Sequence, residues 1–241
     1  MFCCLSTGKQ TGRPIMNKAD IRHAATVILV RDKADRPKIL MGQRGKTAAF
    51  MPSKFVFPGG ALDPADANVP LAEALCEQCM ARLRASTDPA LAEPLILAAI
   101  REVWEETGLL LGQASDTAKA DAAKMPSDWR SFFEHGVEPS GAGMRFVFRA
   151  VTPPGRPRRF DARFFVVDAD RVAGDLDDFD QASDELSHLQ WIALDEARNL
   201  DMPFITEVVL AEIEADLREP NRNSRVPYFF NEEGRSNFLR L

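Results

Sequence analysis

Apolar positions along the chain define its elements. Residues 24–30 (Ala-Ala-Thr-Val-Ile-Leu-Val) form a β-branched run and predict a buried strand. Residues 33–37 read as a turn and 38–41 as the returning strand of a hairpin. A loop over 42–53 leads to a short strand at 54–57, ended by Pro58-Gly59-Gly60. The period then changes. Ile96, Leu97, Ile100, Val103 and Trp104 recur at offsets of one, three and four, which is one face of a helix, and Gly108 is its natural stop. Upstream, Leu71, Leu75, Cys76, Cys79, Met80 and Leu83 also fall at helical spacing, so the stretch 68–92 predicts an extra helix or two. Residues 114–133 predict a further helical stretch carrying Trp129, Phe132 and Phe133. Residues 144–151 alternate and predict a strand, as does 162–167, with a Pro/Arg-rich connection at 153–159. A last strand at 186–194 holds Trp191. Asp195 is placed to cap a short helix after it. Residues 204–217 predict a longer amphipathic helix. Strands interleaved with helices give an α/β (α+β) fold class.

Composition bounds the picture. A length of 241 residues suits one domain over 21–220 with appendages. Residues 1–20 lack the apolar core of a signal segment and predict a flexible tail. The aromatics of 221–241 predict a C-terminal tail that packs back on the domain. A net charge of −6 argues against nucleic acid as the main partner, and no apolar run reaches the length of a membrane span. Of the four cysteines, Cys76 and Cys79 form a C-x-x-C inside a helical pattern, and their plain reading is small apolar residues on a helix face. The expected setting is the cytoplasm.

The candidate chemistry lies at the end of the 96–107 helix. Glu102, Glu105 and Glu106 stand three and four apart, so they share a face, on the side opposite the apolar stripe. They repel one another, and they sit where the helix dipole disfavours negative charge. Arg101, four residues before Glu105, can neutralise one of them. The others need a counter-charge, and a hard divalent cation with oxygen ligands supplies it. A solvated acidic face is the bland alternative. The Pro-Gly-Gly turn upstream weighs against it.

Residues 101–109 (R-E-V-W-E-E-T-G-L) resemble the second half of the Nudix box, G-x5-E-x7-R-E-U-x-E-E-x-G-U with U apolar, and every fixed position is filled. Gly60 and Asp66, six residues on, resemble the first half. Asp66 stands where the family has Glu, and 34 residues, 67–100, stand where it has seven. The resemblance implies a mixed β-sheet sandwiched between helices, with a helical insertion at about 67–95 inside the box. It implies hydrolysis of a diphosphate linked to another group, with Mg²⁺ or Mn²⁺ as cofactor. Glu105 and Glu106 would be metal ligands, with Gly60 beside them. Glu102 would be a ligand and a candidate base, and Arg101 would hold a glutamate in place. Glu185, with Asp184 as its rival, would supply a further carboxylate from the loop before the last strand.

Residues 40–60 resemble the coenzyme A signature found before the box in some family members. Leu40, Arg44 and Phe57-Pro58-Gly59-Gly60 are kept, while Met41, Gly42, Gly45, Ala49 and Ser53 depart from it. With the long insertion and the R-F-D-A-R-F-F segment at 159–165, the chain resembles the coenzyme A / acyl-CoA diphosphatase branch. Arg44, Arg159 and Arg163 would bind phosphate groups and Phe57 would help line the substrate site. The alternatives are an ADP-ribose or NADH pyrophosphatase and a non-catalytic Nudix-fold regulator; the retained glutamates weigh against the regulator. The implied partner is a small nucleotide, with no nucleic acid and no membrane, and the family allows a homodimer.

Overall fold

The computed structural model describes residues 21–48, 50–219, 225–232 and 234–241. The tail expected at 1–20, and Ala49, lie outside them. β1 (Ile21–Arg31) is the central strand, and its side chains alternate between two cores. Ala25, Val27 and Leu29 face one core, and Ile28 and Val30 face the other. β1 pairs antiparallel with β2 (Lys38–Arg44), which continues to Arg44 instead of stopping at Met41. β3 (Phe55–Val56) pairs with β2. β4 (Gly59–Ala61) pairs with the first half of β1, so the Pro-Gly-Gly turn leads into a strand as well as out of one.

The chain continues through α1 (Glu77–Ser86), α2 (Ala92–Thr107), β5 (Leu110–Ala114), α3 (Ala118–Asp121), α4 (Ser127–Glu134), β6 (Val137–Pro139), β7 (Arg145–Val151), β8 (Arg159–Asp168), β9 (Val172–Ala173), β10 (Leu186–Ala193), α5 (Leu194–Ala197) and α6 (Phe204–Arg218), and closes with β11 (Pro227–Glu232) and β12 (Arg235–Arg240). The main sheet has the order β10-β2-β1-β8-β7-β11-β12, with β3 and β4 attached to β2 and β1. β1 runs parallel to β8, and β7 parallel to β11; the other pairs are antiparallel. One face packs on α1, α2 and α4, the other on α6. This is the mixed sheet between helices expected from the sequence.

Four expectations are corrected. Residues 69–76 are extended and not helical. Pro70 disfavours a helical Val69, and Ala72 donates to the Pro139 carbonyl at 2.9 Å, docking the stretch on residues 139–141. The stretch 114–133 is divided: β5 takes its start, and α4 begins only after Pro126. Asp195 caps nothing. It lies inside α5 and receives Arg36 at 3.1 Å. The C-terminal aromatics lie in a hairpin, where a tail was expected, and it extends the sheet from β7, with Tyr228 in register with Arg149.

Candidate active site

The last two turns of α2 carry Arg101, Glu102, Glu105 and Glu106, and Gly108 ends the helix in the left-handed region at φ +75°. The acidic face is largely withdrawn from solvent, with Glu105 half-buried at its edge. Arg101, Glu102 and Glu106 are all buried, because β4 lies across them. The two glycines make that approach possible. A Cβ on Gly60 would stand 2.4 Å from the Glu102 carboxylate, and one on Gly59 would stand 2.5 Å from the Ala25 carbonyl oxygen. The Gly59 N–H, freed by this approach, donates to Glu106 Oε2 at 2.8 Å.

Arg101 organises the cluster. Its Nε and one terminal nitrogen donate to both oxygens of Asp66, at 2.9 and 3.2 Å. The other terminal nitrogen donates to Glu102 Oε1 at 3.0 Å and to Glu105 Oε2 at 2.9 Å. A further bond runs to the Ala61 carbonyl at 3.0 Å, joining β4 to α2. Asp66 is fully enclosed, and it also accepts from the Trp129 indole N–H at 3.1 Å and the Asp63 N–H at 2.9 Å. Asp66 thus reaches Arg101 across the insertion despite being one methylene shorter than Glu. It sits in a 3-10 turn, Pro64–Asn68, capped by Asp63, which holds it close. The sequence alone assigns no partner to Asp66 or to Trp129. The signal was available in Trp129, since a buried indole N–H needs an acceptor.

The electrostatics are lopsided. Burial pushes Glu102 up to about 7, against the pull of Arg101, and Glu105 adds to the rise. Burial also raises Glu105, and it raises Glu106 well above the ordinary range, reinforced by the neighbouring Glu102 charge and opposed by the Gly59 N–H. Burial opposes the charge of Arg101 too, but Asp66 and the glutamates carry its pKa above its ordinary value. One guanidinium therefore serves three carboxylates, Asp66, Glu102 and Glu105, and Glu106, the most buried of the three glutamates, is held by a backbone N–H instead.

The other candidates divide into two groups. Glu185 is exposed in the loop before β10, yet its charge raises both Glu102 and Glu106. Ser183 of that loop donates to the Glu105 carbonyl at 2.8 Å, tying the loop to the end of α2. Arg44, at the end of β2, lowers Glu106, and its Nε is buried without an acceptor. These two belong with the box residues. Phe57 does not line the site: its ring is in the core on the α6 face, with Ile28 and Met41. Arg163 is wholly enclosed, donating to the Asp161 carbonyl at 2.7 Å and to Thr87 Oγ1 at 2.9 Å. Arg159 is also buried and donates to the Thr152 carbonyl at 3.0 Å. Ser53, where the coenzyme A signature has Gly, keeps a left-handed φ of +60°.

Among the described residues, no three Asp, Glu, His or Cys side chains converge as a finished metal cage. The charge balance nevertheless fits a divalent cation. Oxygen donors only, an excess of negative charge and burial that penalises it are the conditions under which Mg²⁺ binds through one or two carboxylates, waters and a ligand's phosphates. Glu102, Glu105 and Glu106 are the residues that would hold it.

The NUDIX domain model matches residues 21–213. A Caenorhabditis elegans protein provisionally named nudix hydrolase 7 is 29% identical over 178 residues, which are 71% of this chain and 51% of that protein. The chain thus spans about half the length of the curated relative it matches. The crystal structure of a NUDIX hydrolase from Alicyclobacillus acidocaldarius is similar with a TM-score of 0.61 and 27% identity, over 83% of this chain and 96% of that one.

Proposed function

The chain belongs to the NUDIX domain family, and from that premise we propose that it is a divalent-metal-dependent hydrolase of a diphosphate linkage in a nucleoside diphosphate derivative. The observation that carries this reading is the acid-rich end of α2, where, among the described residues, Arg101 alone pairs with Asp66, Glu102 and Glu105, and Glu106 is buried with a backbone N–H. A regulator that only bound nucleotide would have no need of these buried like charges.

A bound Mg²⁺ or Mn²⁺ would neutralise phosphate charge and lower the pKa of the attacking water. The chain's own groups do the rest. Arg101 fixes Glu102 through Oε1 and leaves Oε2 free. The Gly59 N–H fixes Glu106. Glu102, with its pKa near neutrality, and Glu185, at the edge of the site, are the two candidates to take the water proton. Arg44, whose charge acts on Glu106, binds a phosphate group of the substrate with its guanidinium.

The proposed substrate is coenzyme A or an acyl-CoA, cleaved to 3′,5′-ADP and (acyl-)4′-phosphopantetheine. The kept half of the signature, Leu40, Arg44 and residues 57–60, supports it. The test is a hydrolysis panel in Mg²⁺ and Mn²⁺ of coenzyme A, an acyl-CoA, ADP-ribose and NADH, with products identified by mass. The highest kcat/KM on the coenzyme A compounds, releasing 3′,5′-ADP, is the expected result. ADP-ribose or NADH as the best substrate would overturn the substrate, and no turnover with any of them would overturn the hydrolase.

A further inference from the structure

Cys76 and Cys79 stand outside everything described so far. Packing explains Cys79, which is buried among Met80, Leu83 and the rest of the α2-side core. It does not explain Cys76, which is exposed one turn earlier, at the N-cap of α1. Neither cysteine is in a disulfide. An apolar face would put both inside, and a zinc site would need further ligands, which no group of residues among those described supplies.

The pair has the asymmetry that thiol–disulfide chemistry needs. The attacking sulfur must be accessible and favour the thiolate, while the resolving sulfur must lie within reach and stay protonated until it is used. The backbone N–H of Cys79, the Cys79 thiol and the backbone N–H of Gln78 all pull Cys76 below the ordinary thiol value, although no full capping hydrogen bond closes. Burial pushes Cys79 up, and its thiol lends its hydrogen to Cys76. Arg82, one turn further along α1, adds positive charge near both sulfurs.

Access is provided as well. Both cysteines line a cleft of about 460 Å³ between α1, β7, α6 and the start of β11, with Arg82, Arg145, Arg225, Glu212 and Asp216 on its other walls. Arg145 is engaged by Asp216 at 2.8 Å. Room for a small molecule beside an exposed sulfur backed by a second sulfur is a site for exchange and not only a packing contact.

We propose that Cys76 and Cys79 form a redox-active dithiol that reacts with small disulfides in this cleft. The Cys76 thiolate attacks one sulfur of RSSR, forming a mixed disulfide and releasing RS⁻, which takes up a proton. Cys79 then gives up its proton and attacks the Cys76 sulfur, forming the Cys76–Cys79 disulfide and releasing the second RSH. Two thiols are oxidised and one disulfide is reduced to two thiols, so hydrogens and electrons balance. The reaction uses none of the residues of the α2 site and stands whether or not the proposed hydrolysis does.

The test uses full-length protein with Cys3→Ser and Cys4→Ser, equilibrated in buffers of reduced and oxidised glutathione and quenched with acid. The expected result is an intact mass lighter by two hydrogens, with peptide mapping linking Cys76 to Cys79. Cys79→Ala should instead accumulate one glutathione on Cys76, and Cys76→Ser should do neither. If Cys79→Ala does not fold, early acid quenches of the parent protein give the same reading, with transient glutathione on Cys76 and none on Cys79. Iodoacetamide should label Cys76 at least tenfold faster than Cys79, with a midpoint below that of Cys79. The proposal is overturned if the folded protein keeps both thiols reduced at glutathione ratios where the urea-unfolded chain forms the disulfide. It is equally overturned if glutathione attaches first to Cys79.

Discussion

Two buried clusters of arginine and carboxylate lie on the α2 side of the sheet, and they are opposite in sign. Around Arg101, one guanidinium meets Asp66, Glu102 and Glu105, with Glu106 beside them. Around Asp161, one carboxylate meets two guanidinium groups. Arg149 is bidentate at 2.7 and 2.8 Å, and Arg163 approaches at 3.2 Å. In the first cluster the leftover charge is negative, it is reached by the charges of Arg44 and Glu185, and its three glutamates are pushed toward their protonated forms. In the second the leftover charge is positive and shut in. Burial lowers Arg163 to about 10, and its bonds run to Asp161, Thr87 and His23. Arg149 also donates to the Ser86 carbonyl and lies 4.4 Å from the centre of the Tyr228 ring. The second cluster therefore joins the insertion, the sheet and the C-terminal hairpin. A buried ion pair alone does not mark a reactive site; what marks it is unmet charge facing a place that a ligand can reach.

Four measurements separate the two clusters. The largest effect is on the closed cluster. Asp161→Asn keeps the shape but leaves two buried guanidinium groups without a counter-charge, and urea unfolding should show a loss of about 3–5 kcal/mol. The kcat of the folded fraction should stay within about twofold, since nothing at the α2 site changes. At the open cluster the signs separate. Glu106→Gln should lower kcat/KM by roughly 10³-fold, in line with the several kcal/mol a metal ion contributes. The same change should raise the stability of the metal-free protein at pH 8, because it removes a buried like charge.

Asp66→Asn is expected to be milder. It removes the charge that holds Arg101 but keeps an oxygen for the Trp129 indole, and activity should fall about 10–100-fold. Weaker Mn²⁺ binding with an unchanged product identity would show that Asp66 acts through Arg101. The smallest effect is with pH. Glu102 has its folded pKa raised to about 7 from an unfolded value near 4.5, so its contribution to stability is greatest below the unfolded value and is lost as pH rises through 7. The stability of the metal-free wild type minus that of Glu102→Gln should therefore fall between pH 5 and pH 8, by about 1–3 kcal/mol. A flat difference would mean that Glu102 is not desolvated as described.

The same two clusters show what the sequence made legible. The acidic triad was readable because helical spacing is local: once 96–107 is a helix, Glu102, Glu105 and Glu106 must share a face. The Arg101–Glu105 contact follows from the same spacing and is present at 2.9 Å. The sheet between helices was readable because burial on both faces leaves continuous apolar runs, as in β1. Asp66 was opaque because its distance from Arg101 depends on how 34 intervening residues fold. Arg163 was opaque for a related reason. Its neighbours Arg149, Asp161, His23 and Thr87 come from different elements, and a strand arginine reads alike whether it faces a ligand or an internal carboxylate. Helical spacing misled at residues 71–75, where Pro70 and pairing with residues 139–141 hold the chain extended.

The open cluster is short of a cation. The most direct measurement is calorimetric titration of Mn²⁺ into the metal-free protein at pH 7.5, beside Glu106→Gln and Asp161→Asn. Binding by the wild type and by Asp161→Asn, weakened at least tenfold in Glu106→Gln, is the predicted result. Equal binding in all three proteins would place the metal elsewhere and leave the open cluster without its cation.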